Sequence, residues 1–87
     1  MRKGTINTFN AWKVGKALKS RASIWTDGET IYSYGTAIMR RNKAGAIVLN
    51  VYKYSMTTST HQNSLRELVA GLTTDYILTE GTSHLYE

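Results

Sequence analysis

Hydrophobic and polar residues alternate along three stretches of the chain, and this alternation predicts three β-strands. The stretches are Ala22–Thr26, Glu29–Arg41 and Ala46–Ser55, and all are rich in Thr, Tyr, Ile or Val. Asp27 and Gly28 separate the first two, and this dipeptide favours a hairpin because a type I′ turn needs positive φ angles. The segment 42–45 forms the next turn, with Gly45 able to adopt a left-handed conformation. The pattern therefore predicts a three-stranded antiparallel meander.

The alternation also predicts which side chains face the helices. With a simple four-residue turn, Ile38 lies opposite Leu49 and Thr36 opposite Val51, so that the aliphatic side chains share one face. A slip of one residue would reverse the two faces. In this register the other face shows Asn50, Tyr52 and Tyr54 around Gly35.

A helix is predicted after the third strand. Its buried face is given by apolar residues at helical spacing, namely Leu65, Leu68, Val69 and Leu72. Ser59 and Gln62 have the spacing of a capping box, with Thr58 as the alternative cap, and Gly71 is placed to end the helix.

The two ends of the chain are predicted from weaker patterns. Residues 8–21 favour a short helix in which Phe9 and Trp12 fill the core, and an extended arm is the alternative. Residues 75–79 form a short edge strand or a packed tail, whereas residues 1–7 and 82–87 are expected to be flexible. The sum is one α+β domain spanning residues 1–87: a three-stranded meander on a C-terminal helix, joined by an N-terminal helix and a final strand if those segments fold.

Charge is distributed unevenly along the 87 residues, whose net charge is +5. The first 22 residues contain six cations and no acid, and after Arg66 the chain becomes acidic. The basic patch is expected at Lys13, Lys16, Lys19 and Arg21. Such a charge distribution favours a polyanion, or a protein that handles one, as the partner.

Several classes of protein are disfavoured by composition. The chain has no cysteine, so disulfides and thiolate metal sites are excluded. Its two histidines lack clustered ligands, so we expect no metal site and no other cofactor. The longest apolar run, Ala44–Leu49, is too short to cross a bilayer, and we expect no membrane partner and a cytoplasmic location.

The junction between the third strand and the helix concentrates polar and aromatic residues, and it is the predicted contact surface. Tyrosines on a sheet can stack on bases while Lys and Arg contact phosphates, but Tyr and Arg are equally common anchors of protein interfaces. The amides at the helix start would also suit an anion. The predicted partner-binding residues are Tyr34, Arg40, Arg41, Asn50, Tyr52, Lys53, Tyr54, Thr57, Thr58, His61 and Gln62.

No catalytic residue is assigned, because serine and threonine hydroxyls near a helix start are usually caps. The alternative is a metal-independent ribonuclease of the toxin type, in which cations stabilise phosphate charge and a His or Tyr moves the proton. That alternative would use His61, Lys53, Tyr54, Arg40 and Arg41.

Several short motifs between Trp25 and Arg66 carry a resemblance to a known family. These motifs are Trp25–Gly28, Ile31–Thr36 with Ile38, Asn50, Tyr54-Ser55, Thr57–Ser59, His61-Gln62 and Leu65-Arg66. They resemble a family of small proteins of phages and other mobile elements. Its running pattern is similar to T-D-G, S-Y-x-T-x-I, N-x-x-x-Y-S and T-T-S-x-H-Q. The resemblance covers about residues 25–66 and implies no biochemical activity, so no catalytic role follows from it. The basic N-terminal segment and the acidic tail lie outside it.

This resemblance favours a non-catalytic binding protein that inhibits a nucleic-acid-handling defence complex of the host, in the manner of an anti-CRISPR protein. The expected partner is a host protein or ribonucleoprotein in the cytoplasm of the host cell. A basic DNA- or RNA-binding module is the first alternative, and the ribonuclease is the second. A homodimer, formed through the tyrosines or the final strand, is also compatible with the sequence.

Overall fold

The computed structural model describes residues 3–19, 23–83 and 85 and contains two helices and a five-stranded sheet. In chain order the elements are α1 (Lys3–Lys13), β1 (Ile24–Thr26), β2 (Thr30–Ser33), β3 (Thr36–Arg41), β4 (Ile47–Asn50), α2 (Met56–Leu72) and β5 (Tyr76–Thr79). The strands lie in sequence order, antiparallel from β1 to β4, and β5 is parallel to β4. The predicted α+β class is confirmed, including both helices and the final strand at the sheet edge.

The predicted strand Glu29–Arg41 is in fact two strands, β2 and β3, joined by a tight turn at Tyr34 and Gly35. Ser33 pairs with Thr36 across this turn, and Tyr34 has a φ of 56°. The prediction of one long strand was wrong because a non-glycine residue occupies the left-handed region here, which sequence patterns rarely signal. The meander therefore has four strands rather than three.

The predicted register between β3 and β4 was wrong by one residue. Met39, and not Ile38, lies opposite Leu49. The shift arises from the turn between β3 and β4, which spans five residues (42–46) rather than four, because Arg41 pairs with Ile47. Strand β3 also contains a β-bulge: Ile31 pairs with Met39 and Tyr32 with Ala37, so Ile38 is the extra residue. Because of the bulge, Ile38 and Met39 both enter the core, and the predicted helix-facing side of β4 is nevertheless correct.

Helices α1 and α2 cover one face of the sheet. The buried cluster between them comprises Phe9, Trp12, Ile24, Ile31, Ile38, Met39, Ile47, Leu49, Leu65 and Val69. Helix α1 is anchored by Trp12, whose Nε1 donates to the carbonyl of Glu29 at 2.8 Å. The helix begins earlier and ends earlier than predicted: residues 3–7 of the expected flexible arm are helical, Thr5 is buried, and residues 1 and 2 lie outside the described residues.

The opposite face of the sheet carries a smaller cluster. Leu85, which is fully buried, packs with Ala37 and Val48, and Tyr32 lies against them. The tail predicted to be flexible thus contains a buried residue, although positions 84, 86 and 87 lie outside the description. Neither helix of the described chain is long and apolar enough to cross a membrane.

Candidate functional site

Helix α2 begins four residues earlier than the capping box predicts. Ser55, in extended conformation, is the N-cap, and its Oγ accepts a hydrogen bond from the Thr58 amide at 3.2 Å. The Ser59–Gln62 capping box was therefore wrong. Gln62 instead faces the sheet, where its Nε2 donates to the carbonyls of Asn50 at 2.6 Å and Tyr52 at 3.0 Å. This side chain ties the second turn of α2 to the end of β4.

A buried polar cluster lies between the first turns of α2 and the end of β2. Ser33 Oγ lies 2.8 Å from His61 Nδ1 and 3.0 Å from Thr58 Oγ1. Ser23 Oγ lies 3.4 Å from His61 Nε2. Ser33, Thr58 and His61 are each at most 3% exposed. These groups satisfy one another inside the fold, so His61 and Thr58 hold α2 on the sheet and present no surface to a partner.

Asn50 plays a similar organising role at the end of β4. It is 1% exposed, and its Nδ2 donates to the Ala37 carbonyl at 3.1 Å and to the Tyr54 hydroxyl at 2.9 Å. Its Oδ1 accepts from the amides of Tyr52 at 3.0 Å and Gly81 at 2.9 Å. One buried amide thus fixes the chain that follows β4 and the chain that follows β5.

Large aromatic and apolar side chains are exposed at this junction, together with Lys53. We define the tyrosine surface as Tyr52, Lys53, Tyr54 and Met56. Tyr52 is 52% exposed, Tyr54 42% and Met56 89%, and the two tyrosine rings meet at 5.0 Å between centroids. Tyr34, 57% exposed, lies on the β2–β3 turn at the same end of the sheet. Exposed tyrosine and methionine side chains in one place are typical of a binding surface.

A groove runs from the tyrosine surface along α2. Its wider part, about 510 Å³, is lined by Lys53, Tyr54, Ser55, Met56, Ser59, Thr60 and Asn63. An adjoining part of about 160 Å³ shares Lys53, Ser59 and Asn63 and adds Arg66, together with Val51 and Gln62. Most lining residues are polar, and two cations, Lys53 and Arg66, line the narrower part.

Arg40 and Arg41 are not part of this junction. They pair with Val48 and Ile47 at the start of β4, whereas Lys53 follows its end. A strand rises about 3.3 Å per residue, so at least about 10 Å separates the two places along the sheet. Arg41 lies over the Trp12 ring at 4.3 Å, and both arginines line a shallow pocket with Gly28 and Glu29. The residues expected for a ribonuclease are thus divided among two surfaces and the interior.

The predicted basic patch is also divided. Lys13 lies over the Phe9 ring at 5.5 Å, on the helical side of the sheet. Lys19 lies over Trp25 at 5.1 Å, and Trp25 stacks on Tyr32 of the opposite cluster. Lys16 is exposed between them, and Arg21 lies outside the described residues.

Asp27 is the acidic group whose environment shifts its pKa. Partial burial raises the pKa, but the amides of Thr30 and Glu29, both 2.9 Å from Oδ1, and the Tyr32 hydroxyl outweigh it and lower the pKa overall. The carboxylate therefore holds the β1–β2 hairpin, and the hairpin predicted at Asp27-Gly28 is confirmed. The type I′ geometry expected there was wrong, because Gly28 has a positive φ and Asp27 does not. Among the described residues no group of three or more His, Asp or Glu side chains is arranged to hold a metal ion.

Sequence reasoning missed three residues of the junction. Ser33 and Ser55 belong to the motifs that carry the resemblance but were not among the candidates. The available signal for Ser55 was that serine is a preferred N-cap, whose side chain accepts from the amide three residues further on, here that of Thr58. Arg66 was also not among the candidates. Its position seven residues after Ser59 places it on the same helix face, and that spacing was the available signal.

The fold and the junction define a small α+β domain in which a capped helix locks against the end of a sheet and leaves tyrosines exposed. A model described as "Family of unknown function (DUF8033)" matches residues 6–79, and the chain belongs to this family. The match extends beyond the predicted motif in both directions, to include most of α1 and all of β5. No curated protein and no solved structure matches the chain.

Proposed function

We propose that this chain is a non-catalytic binding protein that contacts a partner protein through the tyrosine surface. The observation that carries the proposal is that the polar groups of the interior are hydrogen-bonded within the fold while two tyrosines and Met56 are exposed beside them. His61, Thr58, Gln62 and Asn50 are buried and hydrogen-bonded, whereas Met56 and the two tyrosines are exposed. Buried groups that hold the backbone and exposed aromatic groups beside them suit recognition rather than chemistry.

A protein partner is favoured over a nucleic acid by the placement of charge. The tyrosine surface contains a single cation, Lys53, while Arg40 and Arg41 lie at the other end of β4. Binding of single-stranded nucleic acid combines stacked aromatics with a row of cations that follow the phosphates, and in the described part of this chain the cations that line the groove beside the tyrosines are Lys53 and Arg66 alone. Direct binding of nucleic acid through the cations outside this surface is the second candidate function, because the chain has a net charge of +5.

The proposed target is a nucleic-acid-handling defence complex of a host cell, to which the chain would bind stoichiometrically as an inhibitor. This part of the proposal rests on the resemblance to small phage and mobile-element proteins. Membership of a family of unknown function is compatible with it.

The test is capture of partners from a host lysate by the wild-type chain and by two matched variants. Met56→Glu places a charge on the tyrosine surface, and Val14→Glu makes a comparable change at a residue that is 68% exposed elsewhere. We expect the wild type and Val14→Glu to retain the same protein or ribonucleoprotein and Met56→Glu to lose it. Equal capture by all three, or capture of nucleic acid alone, would refute the proposal.

A further inference from the structure

Two cations in the groove beside α2 face no acid among the residues that the structure describes. Lys53 follows β4, and Arg66 projects from the third turn of α2, and both line the narrower part of the groove. No carboxylate lines either part of the groove, and within the described ranges neither cation forms an ion pair. Arg66 is followed directly by Glu67, which lines a different surface depression, next to α1.

Polar groups that can share an anion lie between these cations. Ser59, Asn63 and Arg66 are spaced four and three residues apart, so they form one stripe on the face of α2 that turns away from Leu65 and Val69. With the ammonium of Lys53, which lines the same part of the groove, the hydroxyl, the carboxamide and the guanidinium make a set of donors suited to a carboxylate or phosphate.

The groove also has an apolar end. Tyr54 and Met56 line its wider part, and the distance along α2 from Met56 to Arg66 is about 15 Å at 1.5 Å per residue. An extended peptide of about five residues covers that length. The groove is therefore matched to a short segment with an apolar side chain at one end and acidic side chains at the other.

We propose that this groove binds an acidic segment of the partner protein, with its carboxylates held between Lys53 and Arg66. The proposal rests on the function proposed above and specifies the chemistry of the partner. A peptide is favoured over a phosphodiester chain because, of the residues described, only two cations line the groove, Arg66 lines only its narrower part, and Tyr54 and Met56 add aromatic and apolar surface to its wider part. Two unpaired cations placed together provide the charge complementarity that sets orientation and specificity.

The direct test is a titration of the ¹⁵N-labelled chain, followed by amide chemical shifts. The probes are a terminally blocked peptide of one leucine, two serines and three glutamates, its glutamine counterpart, inorganic phosphate and a twelve-nucleotide polythymidine. We expect the glutamate peptide to shift amides of residues 53–66 saturably and the glutamine peptide to bind at least about tenfold more weakly, which corresponds to about 1.4 kcal/mol. Phosphate is expected to shift the amides nearest the two cations weakly.

Variants then separate this site from general charge effects. We expect the double variant Lys53→Glu with Arg66→Glu to lose at least about tenfold in affinity for the glutamate peptide, and Arg66→Lys to retain most of it. The charge-matched control, Lys13→Glu with Lys16→Glu, should bind within about twofold of the wild type, because these residues do not line the groove.

Three results would overturn the inference: no saturable shift with the glutamate peptide, equal binding of the glutamine peptide, or tighter binding of polythymidine at the same residues. The lysate experiment separates this failure from failure of the proposed function. If the groove double variant still captures the partner while Met56→Glu does not, partner binding through the tyrosine surface is supported and the proposal that the groove binds an acidic segment is refuted. If neither variant affects capture, both proposals fail.

Discussion

Single residues decide where this chain turns and where it stays straight. Tyr34 is not glycine, yet its φ is 56°. Its amide donates to the Ser23 carbonyl at 2.6 Å, and its carbonyl accepts from Trp25 Nε1 at 2.6 Å. These two bonds hold an unfavourable backbone conformation that costs of order 1 kcal/mol. The sequence alone did not reveal this turn because tyrosine is a strand-favouring residue.

Gly28 is expected to be the least replaceable glycine of the described chain. Its φ is 101°, and a Cβ built there would lie 2.7 Å from the Gly15 carbonyl oxygen. We expect Gly28→Ala to lower the free energy of unfolding by at least about 2 kcal/mol, measured by urea denaturation, because backbone strain and the contact with backbone add together. Gly35→Ala is the control, since a Cβ there meets nothing within 4 Å, and a change as large as that of Gly28→Ala would contradict the explanation.

Asp27 gives the chain a defined acid sensitivity. Its pKa is lowered in the folded state, so its stabilising contribution is present above the ordinary value of about 3.9 and is lost as the pH falls through the lowered folded-state value. We expect Asp27→Asn, which keeps the side-chain acceptor for Glu29 and Thr30, to flatten the decline in stability between about pH 4 and pH 2. Thermal unfolding over that range measures it, with Asp75→Asn as the control; parallel pH profiles of Asp27→Asn and wild type would refute the role.

At the scale of elements, the sequence predicted what periodicity controls and missed what tertiary contacts control. The apolar spacing of Leu65, Leu68 and Val69 identified α2, and the hairpin at Asp27-Gly28 followed from turn chemistry. The start of α2 was missed because Ser55, Thr58 and Ser59 can all act as N-caps. In the structure, contact of the helix with the sheet selects Ser55. The register between β3 and β4 was missed because their turn has five residues rather than the four assumed, and Asn42 Oδ1 accepts hydrogen bonds from the amides of Ala44 and Ala46 in this turn.

The candidate site was predicted in position but not in orientation. The sequence located the polar junction correctly, yet it treated all of its residues as surface. Once α2 extends back to Ser55, His61 and Gln62 stand four and three residues before Leu65 and continue the buried face of the helix. The available signal was therefore this spacing, and it was missed because the helix was expected to begin at Ser59.

The contact between α2 and β2 is expected to depend on His61. We expect His61→Ala to reduce the free energy of unfolding by about 2–3 kcal/mol, because it leaves Ser33 and Thr58 with a cavity and fewer hydrogen bonds. Chemical denaturation measures the loss, and Asn63→Ala on the exposed face of the same helix should change stability by less than about 0.5 kcal/mol. If wild type cleaves RNA and His61→Ala remains folded but inactive, His61 is catalytic and the structural role is wrong.

At the scale of the whole molecule, the free edge of the sheet bears on self-association. The outer edge of β5 exposes Ile77 and Leu78, and the acids Asp75 and Glu80 flank the strand. Antiparallel pairing of two copies about the centre of β5 would place Asp75 of each opposite Glu80 of the other. Like charges directly opposite destabilise a strand pair, so this edge disfavours a homodimer.

We therefore expect the chain to sediment as a 9.8 kDa monomer at micromolar concentration and neutral pH. Glu80→Lys replaces each like-charge pair by an opposite-charge pair, and this variant should associate more strongly than the wild type, whereas Glu67→Lys on α2 should not. A stable wild-type dimer that Glu80→Lys leaves unchanged would place self-association elsewhere on the molecule.

The network around Asn50 has a consequence for how quickly and how tightly a partner is recognised. Because one carboxamide fastens the Tyr52 amide and the Tyr54 hydroxyl, and Gln62 fastens the Tyr52 carbonyl, the tyrosine-bearing loop enters a complex already ordered. Little motional freedom is left for docking to remove, so the entropic penalty of complex formation falls mainly on the partner. Association should then resemble rigid docking, with free and bound backbones nearly superimposable in this segment.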